Sequence, residues 1–201
     1  MIILFRRGYT MSEKYAEYKQ ILQERLTPKR YYHSLCVADE AVRLADKYGG
    51  EREKAYLAGL LHDITKNATA EEHLHIFDEF GIMLNDIEKG AEKLWHAISG
   101  AAFVEHVLGI ADKEIITAVR YHTTARAGMT QLEKLLYIAD FTSRDRDYDD
   151  IDIMRQKVEI SMEDALNYAL SYTINDLVSR GKALHLDTVN AYNENALKGN
   201  V

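Results

Sequence analysis

A chain of 201 residues, 47% of them hydrophobic, can bury one substantial core but hardly two, so a single domain is expected. One proline and eleven scattered glycines disfavour a turn-rich β architecture, and the predicted fold class is an all-α helical bundle. A formal charge of −7 excludes a nucleic-acid polymer as the main partner, because duplex binding needs clustered Lys and Arg, but it leaves small anions open.

From Ser12 to Leu26 the pattern is an amphipathic helix, with Ser12 as N-cap and Tyr15, Tyr18, Ile21 and Leu22 on one face. The first eleven residues read as an N-terminal extension before a domain spanning 12–201. Their apolar run is short and its charges follow it, which is not the layout of a signal peptide. Thr27-Pro28 restarts the chain into a helix reaching about Tyr48, on which His33, Val37, Ala41 and Leu44 share a stripe. Gly49-Gly50 ends it. A third helix, from about Glu51, aligns Ala55, Ala58 and His62, with Gly59 beside them to admit a close neighbour.

Thr69 and Glu72 form a capping box for a helix to about Phe80. His73 and His75 on it stand about 200° apart, so they cannot share a metal, and both are expected at the surface. A polar connection from Asn85 to Lys89 leads to His96, which opens a helix whose core stripe is Leu94, Ala97, Ala101, Val104 and Leu108. His106 falls on its far side. Asp112 caps the next helix, where Ile115, Ala118, Val119 and His122 share a face, and residues 121–129 form a loop rich in hydroxyl and backbone donors. Thr130 starts a helix with Leu132, Leu136 and Asp140 on one stripe. The polar run Arg144–Asp150 follows. A long helix from Ser161 to about Arg180 is expected to bury Met162, Leu166, Ala169, Thr173 and Leu177, and a short last helix runs from Leu186 through Tyr192.

Five places break the apolar pattern: His33, His62-Asp63, His96, His122 and Asp140. An imidazole or carboxylate on a core stripe costs several kcal/mol unless something compensates it, roughly as for any unpaired buried charge. No Lys or Arg shares these stripes, so a divalent metal accepting nitrogen and oxygen ligands is the expected compensation. Cys36 is the only cysteine, which rules out an internal disulfide and a thiolate cluster and fits a cytoplasmic protein. No apolar run approaches the ~20 residues that cross a bilayer, so no membrane partner is expected.

The ordered set resembles the HD superfamily of metal-dependent phosphohydrolases. The stretches Arg30-Tyr31-Tyr32-His33-Ser34, Gly59 to Lys66, His96-Ala97, Tyr121-His122-Thr123-Thr124 with Gly128-Met129, and Tyr137-Ile138-Ala139-Asp140 are similar to its YqeK-type branch. The similarity extends from about Tyr15 to Tyr192. It implies an all-α HD-type domain and symmetrical cleavage of diadenosine tetraphosphate into two ADP. His33, His62, Asp63 and Asp140 would hold iron, or manganese or cobalt, with room for a second metal near His96 and His122. Asp63, His96 and His122 would be catalytic. Tyr32, Lys66, His96, His122, Thr123 and Arg146 would meet the nucleotide, and Ala183, Leu184, His185 and Thr188 would close over its nucleoside. Arg146 stands where the family has a phosphate-contacting arginine, but where the family usually carries Glu-Pro this chain has Ser143-Arg144, which leaves that contact open between Arg144 and Arg146. The implied chemistry is in-line attack of water on phosphorus, with Asp63 helping to deprotonate the water while His96, His122 and Arg146 hold phosphate oxygens. The rival readings are another nucleotide substrate (a monophosphate, an alarmone or a cyclic dinucleotide) and a metal-bearing nucleotide sensor without turnover. A homodimer is compatible with the sequence.

Overall fold

The computed structural model describes residues 11–198, with side chains from residue 15. The expected extension lies outside the described residues apart from Met11, as does the side chain of Ser12. The elements are α1 Met11–Arg25, α2 Pro28–Tyr48, α3 Arg52–Leu61, α4 Ala70–Glu79, α5 Asp86–Gly90, α6 Trp95–Ala102, α7 Lys113–Tyr121, α8 Gln131–Thr142, α9 Ile151–Ile160, α10 Met162–Ser179 and α11 Leu186–Lys198. There is no strand among the described residues, so the all-α expectation holds.

Local chemistry explains most of the boundaries. Thr27 caps α2 by accepting from the Arg30 amide, and Pro28 occupies its first turn. Reciprocal capping boxes start three helices: Thr69 with Glu72 at α4, Asn85 with Glu88 at α5, and Thr130 with Glu133 at α8. The Asn85–Lys89 stretch is therefore a helical turn instead of the expected polar connection. α9 was not expected at all, although Ile151, Met154 and Val158 recur at helical spacing and are buried. A π-helical turn, Phe103–Val107, follows α6, and α11 runs past Tyr192.

The centre of the bundle is α2 packed on both α3 and α8, with α7 lying against α3, α6 and α8. Leu22, Val37, Leu44, Leu60, Leu61, Leu135, Leu136 and Ile138 are all buried there. Gly59 on α3 makes the closest crossing. A Cβ on it would lie 2.7 Å from Ala38 Cα and 2.9 Å from Ala38 N on α2, so only glycine lets the two backbones meet this way. Burial along α10 stops at Leu170, and the expected core residues Thr173 and Leu177 are only half-buried because that end of the helix is peripheral. Leu94 is half-buried too, lying in the 3₁₀ turn before α6.

The start of α8 is held by one carboxylate doing two jobs. Glu133, almost fully buried, closes the capping box and takes two hydrogen bonds from Arg126, Nε to Oε1 at 2.6 Å and Nη2 to Oε2 at 2.9 Å. Glu133→Ala removes both, with an expected loss of about 2 kcal/mol, less than for a fully buried pair because Arg126 remains partly hydrated. A shift of the urea midpoint at constant slope checks this.

Candidate metal centre

Four imidazoles form a row through the middle of the bundle. α2 contributes His33, the turn after α3 His62, the turn after α7 His122 and the first turn of α6 His96. Successive ring centroids lie 5.3, 5.0 and 5.1 Å apart, each pair near edge-to-face. Three of the rings are oriented by an acceptor on Nδ1. Asp145 Oδ2 lies 2.7 Å from His33, the Gly59 carbonyl 2.7 Å from His62, and the Val119 carbonyl 2.7 Å from His122. Such contacts fix the ring and leave the Nε2 lone pair for a cation.

His62 provides the test of fit. With Nδ1–H donating to Gly59, Nε2 carries a lone pair, and it is fully buried without a hydrogen-bond partner among the described residues. Its polar neighbours include Asp63 Oδ2 at 3.4 Å and Asp140 Oδ1 at 3.9 Å. A lone pair facing two carboxylates is repulsive unless a cation lies among them. His33, His62 and Asp63 offer atoms within 4.8 Å of one another, as do His62, His122 and Asp140, and also Asp63, His96 and His122. All are nitrogen and oxygen donors, which suits a divalent metal.

Asp63 divides its two oxygens. Oδ2 faces His62 and Arg30, whereas Oδ1 lies 3.2 Å from His96 Nε2 and 3.6 Å from His122 Nε2. Burial alone would raise its pKa, but the neighbouring imidazoles of His62, His122 and His96 outweigh that and hold the carboxyl well below the ordinary range. Asp140 is held low in the same way, with Arg146 and His33 overcoming burial. Burial instead wins at His96, whose pKa is pushed down to about 4, and at Lys66, whose pKa is lowered.

Two arginines pair with the aspartates, and Arg30 corrects the expectation that no Lys or Arg shares these stripes. Arg30 Nη1 lies 2.8 Å from Asp63 Oδ2, and Arg146 pairs with Asp140. Arg146 is a long side chain that reaches the centre from beyond the end of α8, so a helical stripe does not disclose it. Arg30 stands three residues before His33 on α2, which was the available signal. Asp145, the orienting partner of His33, carried none beyond its polar surroundings. Arg144 sits at the surface, paired with Asp39 at 3.1 Å, with its guanidinium 5.7 Å from the Tyr32 ring. The structure thus puts Arg146, not Arg144, at the cluster.

The remaining expected residues are dispersed. Lys66 Nζ is 3.0 Å from His96 Nε2, whereas Tyr32 is exposed beneath Arg144. The Thr123 and Thr124 hydroxyls are buried without hydrogen-bond partners among the described residues, in a loop that turns through Ala125 at φ 55°. Thr188 joins that loop by donating to the Thr124 carbonyl at 2.8 Å. Ala183 is exposed and Leu184 half-buried. His185 is drawn elsewhere: its Nε2 lies 3.2 Å from Asn85 Nδ2 and 3.5 Å from Glu88, the buried partner of Arg120. His75 and His106 are exposed as expected, but His73 is buried, with Nδ1 2.8 Å from Ser99 Oγ. α4 turns one of its two histidines inward, a choice made by the face that meets α6.

Each end of the imidazole row opens into a cavity. At the His96 end, about 460 Å³ is bounded by Lys66, His73, Trp95 and His96 among others. At the His33 end, about 440 Å³ is bounded by Lys29, Arg30, His33, Arg146 and Tyr148 with Asp145 and Asp147. No helix among the described residues is long and apolar enough to cross a membrane.

The chain is similar to known proteins. The HD domain family matches residues 30–154. The chain is 33% identical over 172 residues to the symmetrical bis(5'-nucleosyl)-tetraphosphatase of Bacillus subtilis strain 168, covering 86% of this chain and 92% of the relative. To the Staphylococcus aureus protein of the same name it is 33% identical over 180 residues, covering 87% and 92%. A crystal structure described as a predicted HD superfamily hydrolase involved in NAD metabolism, from Clostridium acetobutylicum, superposes with a TM-score of 0.88 at 35% identity, covering 92% of this chain and 97% of that one.

Proposed function

The chain belongs to the HD domain family, and from that premise we propose that it is a metal-dependent hydrolase splitting diadenosine tetraphosphate symmetrically into two ADP. The observation that carries the metal is the buried, unpartnered Nε2 of His62 between two carboxylates. The substrate rests on the named activity of relatives matched over most of their length, and a cavity at each end of the imidazole row suits a molecule with two nucleoside arms. His33, His62, Asp63 and Asp140 would hold the metal, with iron the expected ion, while Asp63, His96 and His122 offer a second position.

When bound, a divalent cation polarises a phosphoryl oxygen and makes neighbouring water more acidic. Asp63, kept ionised, accepts a hydrogen bond from the attacking water and orients it in line with the scissile bond. Arg30, Lys66 and Arg146 surround the cluster as donors to phosphate oxygens, countering the charge that accumulates as phosphorus is attacked. His96 stays neutral at physiological pH, so it contributes an imidazole nitrogen without adding charge.

The test incubates purified protein with diadenosine tetraphosphate, a nucleoside monophosphate, a guanosine tetraphosphate alarmone, a cyclic dinucleotide and NAD, and separates the products by chromatography. Two ADP per dinucleoside tetraphosphate is the expected result; AMP with ATP, or preferred turnover of another compound, overturns the assignment. Chelation is expected to abolish turnover, and iron, manganese or cobalt to restore it. Tight binding with no product under any metal would instead identify a sensor.

A further inference from the structure

His73 is a buried titratable group that the centre described above does not use. A chain of hydroxyls determines which of its nitrogens bears the proton. Thr65 Oγ1 lies 2.8 Å from the His96 carbonyl, which can only accept, so the threonine hydrogen is spent there. Ser99 Oγ, 2.9 Å from Thr65 Oγ1, must then donate to it. With that hydrogen also spent, His73 Nδ1 is the donor to Ser99 Oγ at 2.8 Å. Nε2 is therefore a bare acceptor, and no donor among the described residues meets it. Burial lowers the pKa of the ring, which keeps it neutral.

His73 lines the cavity at the His96 end together with Trp95, Ala68 and Ala70, and Lys66 and Glu92 border the same space. At about 460 Å³ the cavity lies within the ~300–1,000 Å³ range of small-molecule sites. Lys66 connects it to the cluster, lying 3.0 Å from His96 Nε2 and 3.9 Å from Asp63 Oδ1. Whatever enters thus has a cationic group where it joins the metal centre, an indole beside it and a hydrogen-bond acceptor within. Resting on the hydrolase reading, we propose that this cavity is the subsite for one nucleoside arm of the dinucleoside polyphosphate, with His73 Nε2 accepting from an exocyclic amine of its base. Adenine offers that amine at C6. Hypoxanthine, with a carbonyl there, presents an acceptor to an acceptor and is disfavoured.

Three substrates test this: diadenosine tetraphosphate, diinosine tetraphosphate and adenosine 5'-tetraphosphate, which has a single arm. Ala70→Trp fills the cavity from its rim, and the preference for the two-armed adenosine substrate over the one-armed one, as kcat/KM, is expected to fall by about tenfold or more. His73→Phe keeps a buried ring without an acceptor and is expected to lower the adenosine-over-inosine preference by about three- to tenfold, one hydrogen bond's worth. A merely structural role for His73 would lower both rates together and leave that ratio unmoved. Trp95 is the only tryptophan, so its emission should change when AMP is titrated into the wild-type protein and stay flat in Ala70→Trp after subtraction of the new residue's signal. Turnover of the dinucleoside with unmoved ratios, or a flat wild-type titration, overturns the subsite while sparing the hydrolase reading. Failure of the wild-type protein to split any tetraphosphate would overturn the hydrolase reading itself.

Discussion

Gly59→Ala is expected to cost about 3 kcal/mol, at the upper end for overpacking a close-fitted core. The added methyl would sit 2.7 Å from Ala38 Cα and 3.0 Å from the Val37 carbonyl oxygen. Those are backbone atoms, which no rotamer change can move, so α2 and α3 must separate. A loss of that size should lower the melting temperature by about 6–12 °C in a domain of this length. The functional effect should be larger, because the crossing holds His33 against His62 at a ring separation of 5.3 Å. A displacement of about 1 Å within a catalytic constellation can cost on the order of 10²-fold in rate. Thermal melts and kcat/KM measured together check both effects. Ala38→Gly should not rescue the variant, since the obstacle is the Ala38 backbone and not its methyl. Near-wild-type melting and rate would show that the helices separate without cost.

Asp63→Asn should lower kcat by at least about 10³-fold, beyond the 10²–10³ attributed to a single oxyanion-hole donor, because several roles are lost together. The amide keeps the shape of the side chain but cannot carry the charge that both groups of histidines face. Oδ1 lies toward His96 and His122 and Oδ2 toward His62, so one substitution weakens both possible cation positions. Elemental analysis should show metal content falling in parallel with rate. Wild-type metal content with less than a tenfold loss of rate would reduce Asp63 to an ordinary partner of Arg30.

The polar intruders on apolar stripes were readable because burial is costly. His33 in line with Val37, Ala41 and Leu44, and Asp140 in line with Leu132 and Leu136, needed compensation wherever the helices ended up. Capping chemistry was equally local: the Thr69–Glu72 box appears as expected, and the Asn85–Glu88 box that starts α5 carries the same signature. α9 was legible too, from Ile151, Met154 and Val158, but its polar surroundings obscured that spacing.

His73 and His75 mark where such reading stops. Their spacing sets them about 200° apart on α4, but only the packing of α4 against α6 decides which one is buried. Arg146 finds its aspartate from the segment after α8, outside any helical period, and His185 leaves the expected nucleoside segment for Glu88 on α5. Helical propensity, caps and the cost of a misplaced charge are properties of a segment and its near neighbours, so the chain alone determined the helices and the need for a cation. The tertiary structure decided which residues gather at the candidate cation position and where the cavities beside it open, because those contacts join residues from separate helices that only the folded packing brings within reach.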